Sequence, residues 1–146
     1  MLFRSATFFY VGKFPFAPGT AGSFAGLLLW VSVADKPYLK LVLFVLILGA
    51  GFFSAGHAEK IFGQKDPHPV VIDEVAGIFI VFFMMPLKLT ILAVGFLLYR
   101  LLDIVKPFPA RRLEQLPGSF GIMSDDILCG LYTNLILHGL RHMHLF

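Results

Sequence analysis

Asp73 and Glu74 stand side by side in VVIDEVAG (Val70–Gly77), and the run that follows, VAGIFIVFFMM, has no polar side chain. Carboxylates against so apolar a segment are costly, because a buried charge must be paired, neutralised or bound to a cation. The other acids are placed in the same way. Of the nine in the chain, all but Asp35 and Glu114 lie in short polar regions between apolar runs: Glu59, Asp66, Asp73, Glu74, Asp103, Asp125 and Asp126. His57 and His68 lie nearby, but an oxygen-rich set suits a hard divalent cation such as Mg²⁺ better than zinc. The basic residues of these regions are Arg100, Lys106, Arg111 and Arg112. Arg100 and Asp103, three residues apart, share a helix face and can pair. Pro107 takes Lys106 out of helical geometry, which leaves its ammonium free to reach an anion. Acidic cation ligands beside Arg and Lys are the equipment of phosphoryl transfer, where charge must be neutralised and oriented.

Positioning these residues falls to the apolar runs Phe24–Ala34, Leu39–Ala55, Val75–Met85, Leu89–Leu102 and Ile127–Leu140. The polar segments between them alternate: PGTAGS (Pro18–Ser23), a short break at Asp35–Leu39, the FGQKDPHP loop leading to Asp73, a short break at Pro86–Lys88, and the long region Arg100–Asp126. Two helical hairpins followed by one helix would return all three motif regions to the same end. The expected fold is therefore all-α, a compact helical membrane protein of about five apolar helices with three motif loops converging on one membrane face. Thr20 or Ser23 is a candidate cap for the first helix, and Gly77, four residues after Asp73, allows a neighbouring helix to come close. Leu39–Ala55 is slightly short of the roughly 20 residues a full span needs. Val75–Met85, roughly 17 Å as a helix, does not cross a bilayer of about 30 Å.

Composition sets the class. The chain of 146 residues is 58% hydrophobic and 14% charged, with 17 phenylalanines, against a charged share of about a quarter in soluble domains. Its mean hydropathy is +0.82. The net charge of +3 is scattered rather than gathered in a stripe, which argues against nucleic acid and for anionic lipid as the partner. The single cysteine, Cys129, makes neither an intrachain disulfide nor a cysteine zinc site. A cysteine phosphatase would need Arg six residues further on, where Leu135 stands. The His-rich tail (His138, His142, His144) reads as interfacial.

Taken together, APGTAGS (Ala17–Ser23), HAEKIFGQKDPHPVVIDEVAG (His57–Gly77), YRLLDIVKPFPARRLE (Tyr99–Glu114) and GIMSDDILCG (Gly121–Gly130) resemble the bacterial phosphatidylglycerophosphatase A family over nearly the whole chain, as a single domain. The resemblance implies a membrane-bound, Mg²⁺-dependent phosphatase of phospholipid synthesis. It would convert phosphatidylglycerophosphate to phosphatidylglycerol in the inner membrane, on the cytoplasmic side. Under that reading Asp73, Glu74, Asp125 and Asp126 hold one or two Mg²⁺ ions. Asp66 or Asp103 completes the shell or acts as general base, and Arg100 and Lys106 bind the phosphate. The PGTAGS amides, with Thr20 and Ser23, cradle its remaining oxygens. The chain departs from the family pattern before GIM, where Gly118-Ser119 replaces a Gly-Gly pair, and before the first motif, at Tyr10 and Gly12. The rival readings are another divalent-metal phospholipid enzyme, or a small transporter or channel subunit with intramembrane carboxylates. Oligomeric state is left open.

Overall fold

The computed structural model describes residues 17–62 and 70–145, the backbone alone over 55–62. Among the described residues there are six helices and no strand: α1 (Pro18–Ser32), α2 (Pro37–Phe62), α3 (Ile72–Val81), α4 (Leu89–Val105), α5 (Ala110–Leu113) and α6 (Ser119–His142). Ala17, in the left-handed conformation at φ 49°, delivers Pro18 to the first turn of α1. The fixed φ of proline is suited to that position. Neither Thr20 nor Ser23 caps the helix, since both lie inside it. A turn at Val33–Asp35 and Pro37 then start α2.

The apolar run expected at Leu39–Ala55 is part of a longer helix. At 26 residues, α2 is about 39 Å long, ample for a bilayer. Among the described residues, two helical segments, Pro37–Ser54 and Ser119–His142, are long and apolar enough to cross a membrane. The first is largely unburied, with Tyr38, Val45, Leu46 and Phe53 all exposed, whereas over half of the second lies inside the protein.

The centre of the fold is α3. Val71, Val75, Ala76, Ile78, Val81 and Phe82 are fully buried, as a helix apolar on every side must be. It is packed chiefly between α6 and α1, with α2 and α4 completing its surroundings. Ten residues make about 15 Å, so the short run at Val75–Met85 is a helix enclosed by protein, not one that crosses a membrane by itself. Packing is close because side chains are missing where backbones meet. A Cβ on Gly130 of α6 would lie 2.7 Å from the Gly77 carbonyl oxygen of α3, and the Tyr99 phenol of α4 fills the space beside Gly77. The neighbour anticipated at Gly77 is thus both a helix backbone and a buried tyrosine.

The far end of α3 is held by a polar residue with no counterpart among the sequence-based expectations. Asn134, in the middle of α6, donates through Nδ2 to the carbonyls of Val81 (3.0 Å) and Phe83 (2.9 Å). These carbonyls lie where α3 runs out, and without a donor they would be buried and unsatisfied. Replacing Asn134 by Leu, close in size, should lower stability by about 1–3 kcal/mol, read as a lower melting temperature in detergent with helical content retained.

The start of α1, the start of α3, the end of α4 and the start of α6 come together at one end of the bundle, through contacts described below. At the other end, Lys40 of α2 lies over the Trp30 ring at 4.3 Å and Trp30 packs on Phe82 at 5.3 Å.

Candidate active site

Asp73 and Glu74 occupy the first turn of α3, where the helix dipole favours negative charge. Asp126 enters from the second turn of α6, beyond the reach of that helix's own terminus. One carboxylate oxygen from each of Asp73, Glu74 and Asp126 lies within 4.8 Å of the others. Asp73 and Asp126 are buried, at 5% and 3% exposure. Three like charges this close and this dry disfavour one another, and the grouping is one that could hold a metal ion.

Asp103, at the end of α4, sits next to Asp126 and forms an ion pair with Arg100 at 2.6 Å. The shared helix face expected for Arg100 and Asp103 is thus realised. Arg100 also donates to Ser23 Oγ at 3.2 Å, and the buried Ser23 hydroxyl donates in turn to the Gly19 carbonyl at 2.9 Å. Gly19 lies between Glu74 and the Arg100 guanidinium, where a Cβ would collide with the Glu74 carboxylate and press on the guanidinium. One arginine therefore connects α1 and α4 beside the carboxylates of α3. Thr20, the next residue on α1, is exposed.

Asp125 is turned elsewhere. Neighbouring positions on a helix point about 100° apart, so Asp125 and Asp126 serve different partners. Asp125 accepts from Lys106 at 2.6 Å, and the same ammonium pairs with Glu114 at 2.9 Å. Lys106 does leave helical geometry ahead of Pro107, at φ 47°, but it is not a free cation. It fastens the segment carrying α5 to α6, and Glu114, set aside in the sequence reading, is its second partner. Burial opposes the charge on Lys106, yet its hydrogen bonds to Asp125 and Glu114 outweigh burial and hold the ammonium above the ordinary lysine range. A lysine pKa raised on folding contributes stability at all pH values below its unfolded value, and loses it only in strong alkali. The latch is therefore closed throughout the physiological range.

Of the residues singled out from sequence, Asp73, Glu74, Asp103, Asp126, Arg100 and Ser23 are brought together, and Asp125 and Lys106 form a separate pair beside them. All but Lys106, which follows the last residue of α4, lie within helices near their ends rather than in loops. Asp66 lies outside the described residues, as do His68 and the side chains of His57 and Glu59. Cys129 is buried, its thiol directed at the Leu102 carbonyl.

The donor chemistry of Asp73, Glu74 and Asp126 fits a hard divalent cation. All three offer carboxylate oxygen, and among the described residues the cationic side chain beside the cluster, Arg100, is shared with Asp103 and Ser23.

Comparison with known proteins agrees with this chemistry. The family model of phosphatidylglycerophosphatase A matches residues 4–141. A Bacteroides thetaiotaomicron protein provisionally named phosphatidylinositol-3-phosphatase is 35% identical over 140 residues, covering 90% of this chain and 87% of that protein. A phosphatidylglycerophosphatase A of Haemophilus influenzae is 35% identical over 132 residues, 86% of this chain and 80% of the relative. That of Escherichia coli is 33% identical over 135 residues, 90% and 78% respectively. No solved structure gives a significant match. With the match running almost from end to end and the acidic motifs gathered at one point, the chain belongs to the phosphatidylglycerophosphatase A family and is a phosphoric monoester hydrolase.

Proposed function

We propose that the protein hydrolyses the terminal phosphate monoester of phosphatidylglycerophosphate, with Mg²⁺ as cofactor. It does so as a multi-pass protein of the bacterial inner membrane with its site facing the cytoplasm. The observation that carries this reading is the buried meeting of Asp73, Glu74 and Asp126 beside Arg100. The exposed apolar surfaces of α2 and α4 support a lipid setting, and the names of the Haemophilus and Escherichia relatives support the substrate.

Asp73, Glu74 and Asp126 would hold the cation, which when bound supplies charge neutralisation at the phosphoryl oxygens and a more acidic water. Arg100 binds the phosphate and is held in place by Asp103 and Ser23, so little order is lost when substrate arrives. The first amides of α1, beside Gly19, add donors at a positive helix end. In the reaction a water oxygen bonds to phosphorus as the bond from phosphorus to the glycerol oxygen breaks. With Asp103 as general base, the water's proton passes to its carboxylate, and the departing glycerol oxygen takes up a proton from solvent to leave as the alcohol beside inorganic phosphate. Asp125 and Lys106 secure the frame.

The Bacteroides relative makes a lipid carrying phosphate on inositol the second reading. Purified protein in mixed micelles should release phosphate from phosphatidylglycerophosphate, stop on chelation with EDTA and resume with Mg²⁺. A clear preference for phosphatidylinositol 3-phosphate would replace the substrate, and release from neither lipid would overturn the proposal.

A further inference from the structure

Resting on the phosphatase reading above, we propose that one acyl chain of the lipid substrate lies in the seam between α1 and α4, on Phe24 and Phe96. Among the described residues, two other flanks of the acidic site are closely packed. The α3–α6 contact is backbone on backbone at Gly77 and Gly130, and α1 meets α3 through Gly22 and Gly26 against Val71 and Val75. Contact between α1 and α4 is the sparsest of the packed helix pairs around the site. It is bridged at the top by Arg100 reaching Ser23.

Immediately beneath that bridge the surface turns apolar on both helices. Phe24 follows Ser23, and Phe96 lies one turn before Arg100 on the same face of α4. Their rings meet edge to face at 6.4 Å. Phe24 remains 53% exposed and Leu28, a turn further on, 56% exposed. On α4 the stripe continues through Leu92 to Leu89, which is 82% exposed. From Arg100 to Leu89 is eleven residues, about 16 Å along the helix, the reach of most of a long acyl chain. A lipid phosphate on Arg100 therefore has its tail directed into an apolar groove that starts one helical turn away. The cationic end receives the anionic headgroup, and the aromatic pair receives the chain where it leaves the glycerol.

The test compares phosphate release from a long-chain (dioleoyl) substrate and its water-soluble dihexanoyl analogue, for wild type, F24A/F96A and V45A/L46A. The last pair removes exposed apolar side chains from α2, away from the seam. F24A/F96A should lose about tenfold in kcat/KM on the dioleoyl substrate, since about 1.4 kcal/mol is a factor of ten and two phenyl groups offer more than that. It should keep wild-type kcat on the dihexanoyl analogue, which also reports that the variant is folded. V45A/L46A should match wild type on both. An equal loss on the two substrates, no loss on the long one, or the same loss in V45A/L46A would overturn the proposal. Wild-type protein inactive on both lipids would instead overturn the phosphatase reading itself.

Discussion

Asp126→Asn should reduce phosphate release by about 10³-fold or more while leaving the melting temperature unchanged or raised. The substitution keeps size and hydrogen-bonding capacity and removes one negative charge from a cluster of three. A cation site built from carboxylates depends on that charge, and a loss of about 4 kcal/mol of transition-state stabilisation corresponds to this factor. Stability moves in the other direction. Without a cation, Asp73, Glu74 and Asp126 repel one another in a dry environment, with Asp103 close by. Removing one charge relieves that repulsion. The measurement is paired: initial rate over a range of Mg²⁺, and thermal unfolding with and without EDTA. In wild type Mg²⁺ should raise the melting temperature, because a ligand bound only by the folded state stabilises it. In Asp126→Asn that rise should shrink or vanish. Near-normal activity in the variant would remove Asp126 from the site.

Gly130→Ala is expected to lower both activity and stability, although its residue touches no reacting group. Its new methyl carbon would start 2.7 Å from the Gly77 carbonyl oxygen. Both partners are helix backbone, so relief requires α3 and α6 to move apart. Overpacking of this kind costs about 1–3 kcal/mol. The same two helices carry Asp73 and Glu74 on one side and Asp126 on the other. A displacement of about 1 Å at such a site can lower turnover about 10²-fold. The two substitutions are thus told apart by melting temperature: Asp126→Asn is inactive and well folded, Gly130→Ala slow and less stable. Wild-type behaviour of Gly130→Ala would mean that the helices are not in this contact.

Several of these features were open to a reader of the sequence. Costly acids between apolar runs, and the alternation of long and short polar breaks, are enough to bring Asp73, Glu74, Asp103 and Asp126 to one end of a helical bundle. The limits are physical too. Asp125 and Asp126 are chemically identical, and only the rotation of α6 about its axis decides which faces α3 and which faces Lys106. Lys106 looked free because its partners come from 8 and 19 residues away along an irregular segment, where periodicity says nothing. Hydrophobicity does not distinguish contact with lipid from contact with other helices, so α3 read as an undersized membrane segment when it is the most enclosed element of the fold. Asn134 could have been suspected, since an amide within an apolar helix needs partners, but nothing in the sequence identified them as the carbonyls closing α3.

The enclosure of α3 has a consequence for biogenesis. With ten residues and two acids in its first turn, α3 is too short and too charged to partition into a bilayer as an independent segment. Its apolar surface is covered mainly by α1 and by α6, and α6 is synthesised well after it. While synthesis proceeds, α3 lacks its principal cover. Its final placement therefore awaits the synthesis of α6, and the acidic site, which needs Asp126, cannot form before that moment. Enclosure of α3 and assembly of the site are then one event, and a chain that stops short of α6 lacks both the cover of α3 and Asp126.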